Sequence, residues 1–342
     1  MAPCARVWLR NLGQSPFFSI ISDERVEQTL LQMGKLSDVR ITPQIAREIC
    51  QRTQSAAVLD GSIAQVGTQY SVILRAINCA TGEMVANTQA QSGDKSHVLD
   101  ALGKAATNIR EKLGESLSTL QKFNTPLEEA TTPSLEALQA YSLGVKTLVG
   151  GDNAGAVPLF QRAVLLDPNF AAAHALLGRS LALQGELNLG AENMRKAYEL
   201  RDRVSTSERF FIESSYHQFA TGDLEKARQS LEFWAQTYPR ESAPRIQLTL
   251  VQFALGQYEK SLAQQREALR LDPSPLIHAN IVILDIALNR FEEVRTSAED
   301  MQEKISTLRP YISFVPASLR TEGRPGNGTT GGLGYGAAGH GR

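Results

Sequence analysis

Glycines recur in the second half of this chain at a nearly fixed interval. The spacings are 34, 37 and 34 residues between Gly151, Gly185, Gly222 and Gly256. Prolines repeat the interval at other positions, since TYPRES and RLDPSP place two of them 34 residues apart and each closes an amphipathic run. A period near 34 residues, with two helical runs in each period, restricts this half to a stacked array of helical hairpins.

One interval exceeds the period by three residues. The glycine series places the excess between the second and third units, and the prolines agree, since Pro168 and Pro239 are 71 residues apart, three more than two periods. The polar stretch RDRVSTS, at 201–207, has the composition of a connecting loop rather than of a packed helix face. We therefore predict that the three extra residues lengthen this loop.

The array is predicted to cover 134–306 with about five helical hairpins. Small residues are expected where two helices cross closely, and larger ones should fill the space beside them. The small residues are Gly144, Gly178, Ala156 and Ala163, and the larger ones are Leu143, Phe160 and Leu177. Asn289 stands in a fifth pair where the other units have glycine. Pro158 falls inside a second helix and predicts a late helix start or a kink there.

Residues 1–121 mix strand and helix patterns. FFSIIS (17–22) is a strand-like run, and helical spacing follows at 23–34 and at 42–52, where Thr42 is the expected N-cap. Three β-rich runs within 56–91 are separated by VGTQ and CATGE, which predicts a β-meander. A long amphipathic helix is predicted at 96–117. Strands flanked by helices indicate a small α+β domain, so the fold class is α+β followed by an all-α solenoid.

Two further segments complete the division of the chain. Residues 122–133 are interpreted as a linker in which Thr131 or Thr132 caps the first repeat helix. Because a terminal repeat needs a cap, either the long helix 96–117 or this linker is expected to cover the apolar face of unit one, and Phe123 and Leu127 of the linker are the favoured contact. Residues 307–342 end in a glycine-rich tail that cannot bury enough apolar area to order itself, so we predict disorder there.

Composition and motifs argue against several functional classes. The formal net charge is −1, so a nucleic-acid partner is not expected. No apolar run approaches 18 residues, so no membrane span is predicted, and the start lacks the continuous apolar core of a signal peptide. The motifs CxxC, HExxH, GxxxxGK[ST] and GxSxG are absent. No catalytic, cofactor-binding or metal-binding residue is therefore predicted, and the protein is expected not to be an enzyme.

Cys50 and Cys79 leave two interpretations open. They fall on a predicted helix and at a predicted strand end. One interpretation is a pair of buried thiols, since free cysteine behaves as a small apolar residue. The other is a disulfide between helix and sheet, which requires an oxidising compartment.

The repeats resemble the tetratricopeptide (TPR) family over about half of the chain. This resemblance implies that the first helices of the units line a concave groove that binds a protein or peptide. The residues that match its usual positions are Tyr141, Val145, Arg179, Arg209, Tyr216 and Phe219. Exposed aromatic and arginine side chains suit peptide capture. The alternative for Tyr216 and Phe219 is that they belong to the core.

A second resemblance covers residues 10–300. Segments such as LGQSPFFSIISDERV, TPQIAREICQRT, AAVLDGSIAQVGTQY and TPLEEATTPSLEALQAYSLG are similar to the C-terminal sensor regions of acidobacterial membrane-bound serine/threonine protein kinases. The chain has no glycine-rich loop, HRD or DFG motif, so no kinase chemistry carries over. The predicted function is a non-catalytic protein-interaction module, and the alternative is the sensory region of a split or truncated receptor kinase. The resemblance implies an extracytoplasmic location, and without it the chain would be cytoplasmic.

Overall fold

The computed structural model describes residues 11–36, 39–94, 97–126 and 131–296. Predictions for Leu127, the end of the array and the glycine-rich tail fall outside these residues. Within them, no helix has the length and hydrophobicity needed to cross a bilayer.

Two short helices open the described chain. Helix α1 is Asp23–Gln32 and helix α2 is Pro43–Arg52. The Thr42 hydroxyl accepts a hydrogen bond from the backbone N–H of Ile45, so the predicted N-cap is confirmed. The predicted strand at 17–22 is wrong, because 18–22 lacks regular structure. Its last residue, Ser22, caps α1 instead by accepting from the Arg25 N–H.

The sheet is the predicted β-meander. Strands β1 (Ala57–Val66), β2 (Gln69–Asn78) and β3 (Met84–Ser92) pair antiparallel in the order β1-β2-β3. Gly67 and Gly82 occupy the two turns with φ of 64° and 78°, a conformation that glycine adopts without strain. Helix α3 (Val98–Lys112) packs against β2 and β3, and the short helix α4 (Leu117–Lys122) follows it.

The rest of the described chain is a stack of helical hairpins. Units one and two are α5 (Leu135–Val149) with α6 (Asn153–Leu166), and α7 (Ala171–Leu183) with α8 (Leu187–Glu199). Unit three is α9 (Thr206–Tyr216), extended by a π-helical segment (His217–Thr221), with α10 (Leu224–Thr237). Unit four is α11 (Ala243–Ala254) with α12 (Tyr258–Leu271). Unit five begins with α13 (Pro275–Ala287), and 291–296 is again helical.

The periodic glycines end the first helix of each unit in a left-handed turn. Their φ angles are 87°, 89°, 69° and 71° at Gly151, Gly185, Gly222 and Gly256. Asn289 takes the same conformation in unit five, with φ of 56°. Asparagine is among the few other residues that tolerate this region, which explains why it replaces glycine there.

Each hairpin closes on small residues. A Cβ at Gly178 would lie 2.8 Å from the carbonyl oxygen of Gly190 on the partner helix, so the two backbones meet directly. At Gly144 a Cβ would lie 2.7 Å from the Phe160 ring. In unit four, the equivalent Ser261 donates its hydroxyl proton to the Thr249 carbonyl at 2.8 Å. The predicted crossing positions are confirmed, but Leu143 is exposed and does not fill space beside them.

The three extra residues lie only partly where the sequence predicts them. The chain does leave the helix there, forming a 3-10 turn (Arg201–Arg203) and an extended Val204. The start of the next helix, Thr206, follows the end of α8 at Glu199 by seven positions, against five, six and four at the other unit boundaries. The first helix of unit three is also longer than its neighbours, since Thr206 precedes Gly222 by 16 positions, as Leu135 precedes Gly151 in unit one, against 14 in unit two and 13 in unit four. The π-helical segment absorbs inserted residues within a helix.

At the helix starts of unit one the predicted cap is wrong, and of the two alternatives at Pro158 the late start is excluded while the kink stays a prediction. Ser134 caps α5 by accepting from the Ala137 N–H, whereas Thr132 accepts from the N–H of Ser134 and lies before the cap. Helix α6 begins at Asn153 and runs through Pro158, so its start is not late. Pro158 therefore leaves one carbonyl of the preceding turn without its usual donor.

The α+β part and the repeats share one hydrophobic core. Buried side chains of β2, β3 and α3 belong to the same continuous cluster as those of α5, α6 and α7. The favoured contact of Phe123 with unit one is wrong, because its ring packs edge-on against Tyr238 of unit three at 5.9 Å. The alternative is supported, since the long helix α3 shares its core with unit one.

Three hydrogen bonds tie the N-terminal segment to units three and four, and we call them the clasp. The Tyr238 hydroxyl donates to the Gln14 carbonyl at 3.2 Å. Arg240 donates to the Phe17 carbonyl at 2.9 Å, and the Ser22 hydroxyl donates to Asp272 at 3.3 Å. The α+β part therefore contacts the array along several units and not only at its first end.

A fully buried arginine organises the base of this arrangement. Arg110 of α3 forms a bidentate pair with Glu115 at 2.8 and 2.9 Å, and both side chains are inaccessible to solvent. Its remaining donors reach the carbonyls of Asn11 and Phe123 and the side-chain oxygen of Asn124. One side chain thus connects the N-terminal segment, α3 and the segment that leads to the repeats.

Candidate functional site

Equivalent positions on the first helices form a row that runs through all five units. The row comprises the residues six and three positions before each left-handed turn residue. Such residues are one helical turn apart and lie on the same helix face. We call this set the first-helix row: Val145, Leu148, Arg179, Ala182, Tyr216, Phe219, Leu250, Phe253, Ile283 and Ile286.

The C-terminal half of the row is apolar and open to solvent. The exposed fractions are 45% for Leu250, 40% for Phe253, 54% for Ile283 and 44% for Ile286. The Phe253 ring packs edge-on against Tyr258 at 5.1 Å. Apolar side chains exposed at equivalent positions of two consecutive units make a surface suited to another apolar chain. Sequence reasoning missed these four residues, although counting back from Gly256 and Asn289 would have found them.

Arg179 is the one charged residue among the ten positions of the row. It is half-buried on α7, and burial lowers the pKa of its guanidinium. Within the residues that the structure describes, it has neither an ion-pair nor a hydrogen-bond partner. Its donors are therefore available to an incoming acceptor.

Unit three contributes aromatic side chains to the middle of the row. Tyr216 stacks on Tyr198 of α8, with ring centroids 4.1 Å apart and an interplanar angle of 19°. The guanidinium of Arg201 lies 4.0 Å from the Tyr198 centroid. Tyr216 and Phe219 are both half-buried, so each combines core packing with an accessible edge.

Two of the predicted groove residues do not belong to this surface. Tyr141 is only 6% exposed, because its ring is packed between Phe160 at 5.9 Å and Phe170 at 4.8 Å. Its assignment to the groove is corrected to the core. Arg209 is exposed, but its guanidinium pairs with Glu213 at 2.9 Å and with Asp202 at 3.6 Å. The hydrogen bond to Glu213 is the main reason why the pKa of Arg209 is raised. Val145, Arg179, Tyr216 and Phe219 do occupy equivalent positions in the row.

Cys50 and Cys79 lie together in the α+β part. Their Cα atoms are 5.8 Å apart, within the range for a disulfide, and the structure joins the two sulfurs. Both residues are buried. The described residues contain no group of three or more His, Cys, Asp and Glu that could hold a metal ion.

Glu241 is a half-buried carboxyl beside the clasp. The indole N–H of Trp234 donates to it at 3.0 Å, and the Ser207 hydroxyl donates to it at 3.5 Å. Burial nevertheless dominates and raises its pKa from 4.5 to about 7. Between pH 4.5 and about 7, the Glu241 carboxyl is therefore protonated in the folded state and ionised in the unfolded chain.

Glu241→Gln is expected to stabilise the protein at alkaline pH. Because the folded pKa is raised, the stability contributed by the carboxyl is fully present below pH 4.5 and is lost as pH rises through about 7. The neutral amide can still accept from Trp234. We expect the free energy of unfolding to increase by about 1–2 kcal/mol at pH 8 and to be unchanged near pH 4.5. Urea denaturation at the two pH values measures this, and an equal effect at both would contradict the assigned pKa.

The hairpin period, the left-handed turn after each first helix and the small residues at each crossing define a stacked array of helical hairpins. No protein-family model matches the chain, and no curated protein matches it. Solved structures similar to it include TTC0263, a thermophilic TPR protein of Thermus thermophilus, at 23% identity over 51% of this chain and 92% of that one, with a TM-score of 0.39.

Two further solved structures are also similar to parts of this chain. MamA from Desulfovibrio magneticus is 18% identical over 53% of this chain and 99% of that one, with a TM-score of 0.34. YrrB, described as a TPR protein with an unusual peptide-binding site, is 16% identical over 51% of this chain and 87% of that one, with a TM-score of 0.29.

Proposed function

We propose that this chain is a non-catalytic interaction module that binds a peptide segment of another protein along the first-helix row. The observation that carries the proposal is the exposed apolar surface of Leu250, Phe253, Ile283 and Ile286. These side chains occupy the same two positions in units four and five, and no described part of the chain covers them. Burying them against a ligand removes apolar area from water, which favours association.

The proposal predicts that charge at the apolar end of the row abolishes binding. A displayed library of random 12-residue peptides is selected on the wild-type chain, and the enriched peptides are measured by fluorescence anisotropy. A paired Leu250→Asp and Ile283→Asp variant is expected to bind them at least tenfold more weakly, because the apolar contact would have to desolvate a carboxylate. Both positions are exposed, so the variant is expected to keep the wild-type melting temperature.

The matched control is Leu165→Asp. Leu165 is 80% exposed but lies on the second helix of unit one, outside the row. It should leave peptide affinity unchanged. Equal binding by wild type and the paired variant, or a failure to enrich any peptide, would overturn the proposal.

The alternative function, as the sensory region of a split or truncated receptor serine/threonine kinase, stays a prediction. It is supported by the similarity of segments such as TPQIAREICQRT and AAVLDGSIAQVGTQY to such regions. A kinase reading frame adjacent to this one in the genome, and co-purification of the two products, would support it. An unrelated neighbourhood would oppose it.

A further inference from the structure

We infer that the peptide carries one acidic side chain that pairs with Arg179, while its apolar residues lie on units four and five. This inference rests on the proposed function and specifies the ligand of the same surface. It combines two observations, the unpaired Arg179 in unit two and the exposed apolar side chains at the equivalent positions two and three units further on.

The chemistry at Arg179 favours a carboxylate. A half-buried guanidinium loses part of its hydration, so a partner that brings a negative charge and paired oxygen acceptors compensates best. Nothing in the described chain supplies that partner, in contrast to Arg209, whose charge is already used by Glu213 and Asp202. The remaining nine positions of the row are uncharged, so the surface selects for a single anionic group at one place.

The number of cations excludes more highly charged groups as the preferred ligand. A phosphate carries close to two negative charges and is usually held by several basic donors. A terminal carboxylate is commonly held by clustered basic side chains or successive backbone N–H groups, and the row has neither a second cation nor a gap in its helices at Arg179. One arginine matches one aspartate or glutamate side chain.

The spacing within the ligand follows from the repeat. Neighbouring first helices are about 10 Å apart, so units two and four are separated by roughly 20 Å. An extended chain covers about 3.3 Å per residue. The acidic residue is therefore expected roughly six residues from the first of the apolar residues that contact Leu250 and Phe253.

The test is a cycle of paired changes with a peptide taken from the selected pool. The probe is an amidated synthetic peptide, which has no terminal carboxylate, compared with its copy in which the acidic residue is replaced by the corresponding amide. Arg179→Gln is the chain variant, and Arg195→Gln, an exposed cation on α8 of the same unit, is the control. Affinities are measured by anisotropy, and melting curves check that each variant is folded.

We expect enriched peptides to contain an acidic residue at the stated distance from an apolar group. Arg179→Gln should weaken the acidic peptide about tenfold, and it should bind the amide copy as the wild type does. Arg195→Gln should bind both peptides normally. Enriched peptides that depend on Leu250 and Ile283 but lack an acidic residue, or that bind Arg179→Gln unchanged, would overturn this inference and leave the proposed function standing. Binding that requires a free C-terminus or a phosphate would also overturn it. Peptides that bind independently of Leu250 and Ile283 would overturn both.

Discussion

Arg110→Ala is expected to lower the free energy of unfolding by about 3–5 kcal/mol, the largest effect of any single substitution considered for this chain. The change removes one partner of a buried ion pair and leaves the Glu115 carboxylate without its counter-charge in a site closed to water. It also removes the donors that serve the carbonyls of Asn11 and Phe123. Urea denaturation followed by circular dichroism measures the loss.

Two comparisons separate burial from charge in this experiment. Arg52→Ala breaks an exposed pair with Glu48 at 2.9 Å, and surface pairs contribute about 0–1 kcal/mol, so its effect should be small. The double change Arg110→Met and Glu115→Leu removes both charges and should recover part of the stability lost in Arg110→Ala. Equal losses for Arg110→Ala and Arg52→Ala would show that Arg110 is solvated in the folded protein.

Gly178→Leu is expected to disrupt the second hairpin. Its Cβ would meet the Gly190 carbonyl at 2.8 Å, and backbone cannot move aside as a flexible side chain can. Overpacking typically costs about 1–3 kcal/mol, and this site belongs at or above the upper end because helices α7 and α8 must separate. Gly144→Leu should cost less, since the atom it meets belongs to the Phe160 ring.

Gly93→Ala is the control for the glycine series. Gly93 has open space around it and no left-handed φ, so alanine should be accepted with little change. Thermal melting of the three variants should rank them with Gly178→Leu lowest and Gly93→Ala nearest the wild type. A melting temperature for Gly178→Leu within a degree or two of wild type would show that the helices of unit two do not cross at this residue.

Local signals in the sequence were sufficient for the hairpin register and the meander. A left-handed turn favours glycine or asparagine, so the periodic residues mark the end of each first helix without knowledge of the rest of the fold. The strand-like FFSIIS shows the limit of such signals. A strand needs a partner, and this segment instead contributes the Phe17 carbonyl and the Ser22 hydroxyl to contacts with distant units.

The candidate site was only partly predictable, because exposure depends on contacts with distant parts of the chain. Positions in the row follow from counting, but whether a residue there is exposed depends on which helix packs beside it. Tyr141 lies four positions from Val145 on the same helix, yet Phe160 and Phe170 enclose it. Arg110 could not be predicted from the sequence at all, because a buried arginine is rare. Its acceptors come together only when distant segments of the chain converge.

The clasp joins the N-terminal segment to units three and four, so the stack is tied at more than its first unit. In an open stack each hairpin senses only its neighbours, so the superhelix can wind or unwind a little at every step. Here any change of pitch between units one and four must also stretch the bonds from Tyr238, Arg240 and Ser22. The clasp therefore restrains the curvature of units one to four. Only unit five, beyond the last tie, is left to adjust its angle, and it carries Ile283 and Ile286.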